Sequence, residues 1–170
     1  EVHGQCVGEN QNVLWAADEA IAASESAKQK LRNAKQSLFD VREQRIKPGT
    51  DDKIITSWNG LTLTALANGY RVLGDARYLK AAQKCASFLL SHLVVDGRAM
   101  RSWQGGKAQH QGYLEDYVAL AGGLLSLFEA DSNPRWLLAA RDLLKQTDEH
   151  FRADDGAFWF TADDHEELIA

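Results

Sequence analysis

Two groups of side chains that could do chemistry stand at the starts of long uncharged segments. The first group is Asp51, Asp52 and Lys53, and the second is Tyr113, Glu115 and Asp116. Helix N-termini are favourable places for ligands because their backbone N–H groups are unpaired. Two carboxyl groups that face each other across a pocket can serve as acid and base, or as acid and nucleophile, on a glycosidic bond. These groups therefore form a candidate site for carbohydrate chemistry.

The roles within this site follow from position. Asp116 and Asp52 are the candidate catalytic acids, while Lys53, Tyr113 and Glu115 are candidate substrate-binding residues. The same carboxylates also have a purely structural interpretation. An acidic residue in the first turn stabilises a helix by about 0.3–1 kcal/mol through the helix dipole, without any catalysis.

Three further residues have both a structural and a functional interpretation. Trp58 falls on an apolar helical stripe, which favours a core position over a sugar-stacking platform. Asn59 lies off that stripe and can hydrogen-bond either a ligand or a neighbouring loop. His110 precedes the second group and is a candidate for proton transfer, whereas His92 and His150 are interpreted as partners of helix-terminal carbonyls. No pair of residues has zinc-ligand spacing, so neither a metal nor a cofactor is expected.

The composition describes an ordinary soluble chain and excludes several classes. Its 170 residues are 45% hydrophobic and 25% charged, with a formal net charge of −5. The absence of a dense basic stripe argues against nucleic acid as a partner. The uncharged run 54–70 is too short and too polar to span a membrane. The two cysteines give no disulfide framework, and with no signal peptide visible the expected location is the cytoplasm.

The segments that must position the site are helices of two kinds. After an extended lead-in over 1–10, charge-poor helices at 11–23, 53–73 and 114–129 alternate with charged amphipathic helices at 25–45, 76–94 and 135–151. A helix without charge on any side is expected to be covered by protein all round. The stripe expected to face inward on the second charge-poor helix consists of Ile54, Trp58, Leu61, Ala65, Leu66 and Val72.

The later helix pairs repeat at an offset of 58 residues, so that Leu66 corresponds to Leu124 and Ala82 to Ala140. A fixed repeat of helical hairpins indicates a repeat architecture. Neutral inner helices with amphipathic outer ones are compatible with an α-solenoid or an α/α toroid, and the long period favours the toroid. The prediction is a single all-α domain over 1–170, made of three helical hairpins that form part of an (α/α)6 toroid. A short β-hairpin is expected as an insertion near 98–111, and a strand-like run at 157–161.

Three motifs resemble one known family. The first runs from Arg45 to Leu61 (RIKPGTDDKIITSWNGL), the second from Gly112 to Ala130, and the third from Trp136 to Gly156. Together they resemble the thioredoxin-domain-containing family of domain-of-unknown-function 255, which includes the spermatogenesis-associated protein 20-like proteins. The resemblance implies a six-hairpin, glycosidase-like toroid. The chain carries no CxxC pair, so no redox role is carried over.

Two functions therefore remain open at this point. One is an enzyme-like toroid of the glycosidase or epimerase type that binds or processes a small sugar. The other is a helical-repeat interaction or scaffold module without catalysis. Because three hairpins leave one flank of the inner helices uncovered, the chain is expected to associate with itself or with a missing partner domain.

Overall fold

The computed structural model describes residues 24–165, and the chain divides into two compact units, Glu1–Thr50 and Asp51–Ala170. Each unit is considered by itself. The predicted lead-in at 1–10 and the predicted helix at 11–23 lie outside the described residues. The prediction that 1–170 is one domain stays a prediction.

The described part of the first unit is one helix, α1 (Glu25–Glu43), where the sequence predicts a helix over 25–45. The Ser24 side chain accepts a hydrogen bond from the backbone N–H of Ala27 and caps its start. No residue of α1 is buried, and Leu38 and Val41 of its apolar stripe are exposed.

The second unit contains two helical hairpins and a small sheet. The first hairpin is α2 (Thr56–Leu73) with α3 (Ala76–His92), and the second is α4 (Leu114–Asp131) with α5 (Pro134–His150). The strands are β1 (Ile54–Ile55), β2 (Val94–Val95), β3 (Arg98–Gln104) and β4 (Lys107–Gln111). None of the described helices is long and apolar enough to cross a membrane.

The two hairpins repeat residue for residue. Every helix of the second hairpin begins and ends 58 residues after its counterpart in the first. The links match as well, since Gly74 and Ser132 both have positive φ at the end of the inner helix. Asp75 and Asn133 then cap the outer helices by accepting from backbone N–H groups two residues on. The predicted repeat is thereby confirmed.

The inner helices α2 and α4 pack closely because glycines stand where they touch. A Cβ on Gly60 would lie 2.5 Å from the backbone carbon of Ala119, and one on Gly123 would lie 2.7 Å from the carbonyl oxygen of Gly60. Gly60 costs about 1 kcal/mol of helix propensity, and close packing of another helix explains its presence. Around this contact the core is built from leucines and alanines of all four helices, including Leu63, Leu89, Leu120 and Leu143.

The sheet caps one end of the hairpins. β3 is its central strand and pairs antiparallel with β1, β2 and β4. The predicted β-hairpin near 98–111 is confirmed. The sequence reading was wrong to place 54–55 and 94 in helices, because backbone pairing with β3 draws these short apolar pairs into strands. Only an isolated bridge between Arg152 and Phe158 forms at the predicted strand-like run 157–161.

The face that α2 buries differs from the predicted one. Thr56, Ser57, Gly60, Leu63 and Ala67 are its buried residues. By contrast Trp58, Leu61 and Val72 of the predicted inward stripe are 67%, 63% and 81% exposed. The core position favoured for Trp58 is therefore wrong. A helix with no charged face offers no contrast between inside and outside, so the larger side chains were mistaken for the packed ones.

Candidate functional site

The N-terminal ends of α2 and α4 meet at one carboxylate. Asp116, in the first turn of α4, has no exposed surface. Its Oδ1 accepts from the backbone N–H of Ser57 at 2.9 Å, and its Oδ2 accepts from the backbone N–H of Tyr113 at 3.0 Å. Both donors belong to helix starts, where N–H groups lack partners within the helix. Asp116 therefore caps two helices at once.

Arg101, on β3, supplies the countercharge. Its Nη1 donates to Oδ1 and Oδ2 of Asp116 at 3.0 and 3.1 Å, and to Oε1 of Glu115 at 2.5 Å. The same nitrogen lies 3.3 Å from Oγ of Ser57. A buried carboxylate is tolerated when it is paired and fully hydrogen-bonded, and Arg101 completes that arrangement.

The electrostatics of Asp116 follow from this environment. Burial raises the pKa of its carboxyl, while the hydrogen bonds from Arg101, Tyr113 and Ser57 act in the opposite direction. Both of its oxygens are engaged within the protein. Glu115, whose side chain is 49% exposed, is the carboxylate of the pair that reaches solvent. A ligand at this end of the helices would meet Glu115 and Arg101 first.

The residues of the second predicted group are brought together. The Arg101 guanidinium lies 5.4 Å above the ring of Tyr113, which in turn stacks on Phe160 at 4.8 Å and on His165 at 5.3 Å. The ring of Tyr113 is thus packed against protein groups.

The first predicted group lies at the same end of the inner helices, because it directly precedes β1 and α2. Asp52 is exposed and accepts from Nε2 of Gln104 at 2.7 Å, so it is joined to the strand that carries Arg101. Lys53 is exposed and pairs with Asp51 at 2.9 Å. No contact joins Asp52 to Asp116 among the described hydrogen bonds, and β3 is the element that links them.

The remaining predicted residues are more scattered. Asn59 donates to the carbonyl of Ile55 at 2.8 Å, four residues earlier at the start of its own helix, so its partner is not the neighbouring loop of the structural interpretation. His110 is exposed on β4 with a φ of 59°. As expected, Nδ1 of His92 lies 3.1 Å from the carbonyl oxygen of Phe88 near the end of its helix. His150 instead lies 2.9 Å from Oδ1 of Asp163, so the carbonyl expectation was wrong for its side chain.

One cluster in the described residues has the donor types of a metal site. Ligand atoms of His150, Asp163 and Asp164 lie within 4.8 Å of one another. All three groups already have partners, since His150 bonds Asp163 and the Asp164 carboxylate is held by Arg98 at 2.8 and 2.9 Å. The cluster is accounted for by these contacts.

Sequence reasoning missed Arg101 and the aromatic run 158–160. Arg101 stands in an alternating strand, and nothing in that pattern singles out one arginine. Three consecutive aromatic residues, Phe158, Trp159 and Phe160, were a usable signal, but the run was read only as a short strand.

Comparison with solved structures identifies the fold. The chain superposes on a sugar epimerase from a ruminal bacterium with a TM-score of 0.58 at 13% identity, over 72% of this chain and 34% of that one. It superposes on cellobiose 2-epimerase from Spirochaeta thermophila with a TM-score of 0.53 at 15% identity, over 64% and 33% of the two chains. The fold is therefore part of an (α/α)6 toroid, as predicted.

Comparison with curated proteins identifies the relatives. The chain is 33% identical to human spermatogenesis-associated protein 20 over 94% of its own length and 22% of that protein. It is 31% identical to the uncharacterized protein B0495.5 of Caenorhabditis elegans, over 92% of its own length and 23% of that protein. No protein-family model matches. The chain is thus a homologue of one segment of the spermatogenesis-associated protein 20 proteins, spanning about a fifth of their length, and the predicted resemblance is confirmed.

Proposed function

We propose that the chain forms part of a toroid that binds a small carbohydrate at the N-terminal ends of α2 and α4. The observation that carries the proposal is an accessible charged pair, Glu115 and Arg101, held against the buried carboxylate of Asp116. Glu115 and Arg101 reach solvent, while Asp116 beneath them fixes both helix starts. The structural neighbours include two sugar epimerases and a D-mannose isomerase, which supports a carbohydrate as the ligand.

The chemistry of the pair suits a polyhydroxy ligand. The Glu115 carboxylate accepts hydrogen bonds from hydroxyl groups, and the Arg101 guanidinium has N–H groups left to donate. Because Arg101 is held by Asp116, its orientation is set before a ligand arrives, which lowers the entropic cost of binding. Within this proposal Asp116 is a positioning residue, and its assignment as a catalytic acid stays a prediction, as does that of Asp52. His110 is the exposed imidazole that could accept or donate a proton.

The test is equilibrium binding of glucose, mannose and cellobiose to the full chain by titration calorimetry. Glu115→Gln keeps the side-chain shape and removes the charge, and we expect it to weaken binding by at least about tenfold. Glu129→Gln is the matched control. Glu129 is another exposed glutamate of α4, paired with Arg71 at 2.6 Å but at the opposite end of the helix. The proposal is contradicted if both variants lose the same amount of sugar affinity, or if the wild-type chain binds none of the sugars.

Turnover is tested separately from binding. Each sugar is incubated with the chain in D2O, and exchange of the hydrogen at C2 is followed by NMR. Exchange that is lost in His110→Gln but retained in Glu129→Gln supports an epimerase- or isomerase-like reaction. Binding without exchange or hydrolysis restricts the proposal to recognition.

A second function is favoured by one observation. The exposed stripe of α2 (Trp58, Leu61 and Val72) is of the kind that protein interfaces cover. A helical interaction module would use this stripe and would be indifferent to changes at Glu115.

A further inference from the structure

The segment after α5 presents three consecutive aromatic side chains to solvent. Phe158, Trp159 and Phe160 are 46%, 66% and 55% exposed. Soluble proteins rarely leave contiguous apolar surface uncovered unless it binds something. These three residues, called the aromatic run below, play no part in the contacts that join the helices of the core.

The aromatic run adjoins the candidate site. The carbonyl of Phe160 accepts from the backbone N–H of Leu114 at 3.0 Å, directly at the start of α4. The Phe160 ring stacks nearly parallel on Tyr113, with an angle of 15° between the rings. A chain of contacts therefore leads from Glu115 and Arg101, through Tyr113, to Phe160 of the aromatic run.

The backbone of the run is fixed on its other side too. The N–H of Trp159 donates to the carbonyl of Phe151 at 2.7 Å, and Phe151 is a fully buried core residue. Phe158 pairs with Arg152 in an isolated antiparallel bridge. An exposed indole on a backbone held from both sides is a preorganised platform, because little conformational entropy remains to be lost on binding.

The charged groups around the platform select its ligand. Charges of both signs are exposed nearby in the chain, namely Arg152, which bridges to Phe158, and Asp154, Asp155 and Asp163, so these surroundings favour an uncharged ligand over an ionic one. Carboxylates accept hydrogen bonds from hydroxyl groups, and aromatic faces attract C–H groups because their π-systems are negative at the face. An uncharged β-linked oligosaccharide offers both, with C–H groups on its ring faces and hydroxyls at its edges.

We infer that the aromatic run, with Trp159 at its centre, is a second sugar-binding position that extends the site at the inner-helix starts to oligosaccharides. This inference rests on the proposed function. It predicts that chain length matters, so that cellotriose binds at least about tenfold more tightly than glucose.

The experiment measures binding of glucose and cellotriose to the full chain by titration calorimetry. Trp159→Ala is expected to lower cellotriose affinity by at least about tenfold and to leave glucose affinity within about twofold. Phe39→Ala on α1 controls for loss of any exposed aromatic ring. Circular dichroism confirms that each variant is folded.

The outcomes separate the two proposals. Glucose and cellotriose bound equally by the wild-type chain, or an unchanged cellotriose affinity in Trp159→Ala, overturns the second position and leaves the first intact. The same loss in Phe39→Ala also overturns it, because the effect would then not belong to the aromatic run. No binding of either sugar by the wild-type chain removes the proposed function and this inference together.

Discussion

The backbone N–H of Ser57 donates to the carboxylate of Asp116 across 59 residues of sequence, at 2.9 Å. The Asp116 side chain, which belongs to the second hairpin, thereby caps the N-terminus of α2, the inner helix of the first hairpin. Arg101 joins the same carboxylate from the sheet, so three elements meet at a single buried charge. Asp116 thus organises the N-terminal ends of both inner helices.

Removing the charge of Asp116 should destabilise the fold. Asp116→Asn replaces an oxygen acceptor with an amide donor beside N–H groups that need an acceptor. We expect a loss of about 2–4 kcal/mol in the free energy of unfolding, the range for breaking a buried charged hydrogen-bond network. Urea unfolding followed by circular dichroism measures it. Asp142→Asn, which breaks an exposed ion pair on α5, should change the free energy of unfolding little. An unchanged stability for Asp116→Asn would contradict this role.

The contact between α2 and α4 predicts opposite effects for two glycine substitutions. Gly60→Ala places a methyl group against the backbone of Ala119 and should destabilise the chain by about 1–3 kcal/mol, because backbone cannot move aside as a side chain can. Gly122→Ala has open space at its Cβ and should stabilise α4 by about 0.5–1 kcal/mol. Thermal unfolding of the two variants side by side tests the pair. Stabilisation by both would show that the inner helices are not in close contact.

The Arg98–Asp164 ion pair should give a defined pH dependence. Hydrogen bonds from Arg98 hold the pKa of Asp164 below its ordinary value of 3.8. Because the folded state takes up this proton less readily than the unfolded state, the stabilisation is fully present above the unfolded pKa and is lost as pH falls through the folded pKa. At pH 7 Asp164→Asn should lower the free energy of unfolding by about 0.5–1 kcal/mol. The effect is small because Asp164 is half exposed. Urea unfolding between pH 7 and pH 3 should show the difference from wild type shrinking as the pH is lowered. A difference that grows on acidification contradicts this assignment.

The exposed stripe of α2 predicts self-association. Trp58 and Val72 stand seven residues on either side of Ala65, so a two-fold antiparallel pairing centred on Ala65 would set Trp58 against Val72 of a second copy. Between Lys53 and Arg71 no like charges oppose this pairing. Leu61→Glu should therefore shift the chain towards monomer in sedimentation velocity, whereas Leu144→Glu on α5 should not. A wild-type chain that is monomeric at high concentration rules this pairing out.

The sequence predicted those features that depend on local patterns. Asp75, Asn133 and Pro134 mark helix starts through well-understood capping preferences, and the structure places all three there. The β-hairpin was visible from its alternation and its two glycines. Gly60 is a further local signal, because a glycine inside a helix needs a reason such as close packing of another helix.

What the sequence could not supply depends on contacts between distant segments. The pairing of Ile54 with Trp103 turns the expected first helical turn into a strand. Arg101 becomes part of the site only because β3 crosses the starts of both inner helices. Similarly, the packed face of α2 is set by where α4 lies, and small residues rather than Trp58 mark that face.

The packing of α2 on α4 also has a consequence for how the chain folds. The glycines in contact, Gly60 and Gly123, are 63 residues apart, and all of α3 and the strands β2, β3 and β4 lie between them. Most helical proteins reach their native state quickly because their contacts are local. Here the tightest helix pair forms only after a long loop has closed, so neither hairpin should behave as an independent folding unit. A transition state that already contains both inner helices would show intermediate φ-values at Leu63 and Leu120 together, rather than in one hairpin alone.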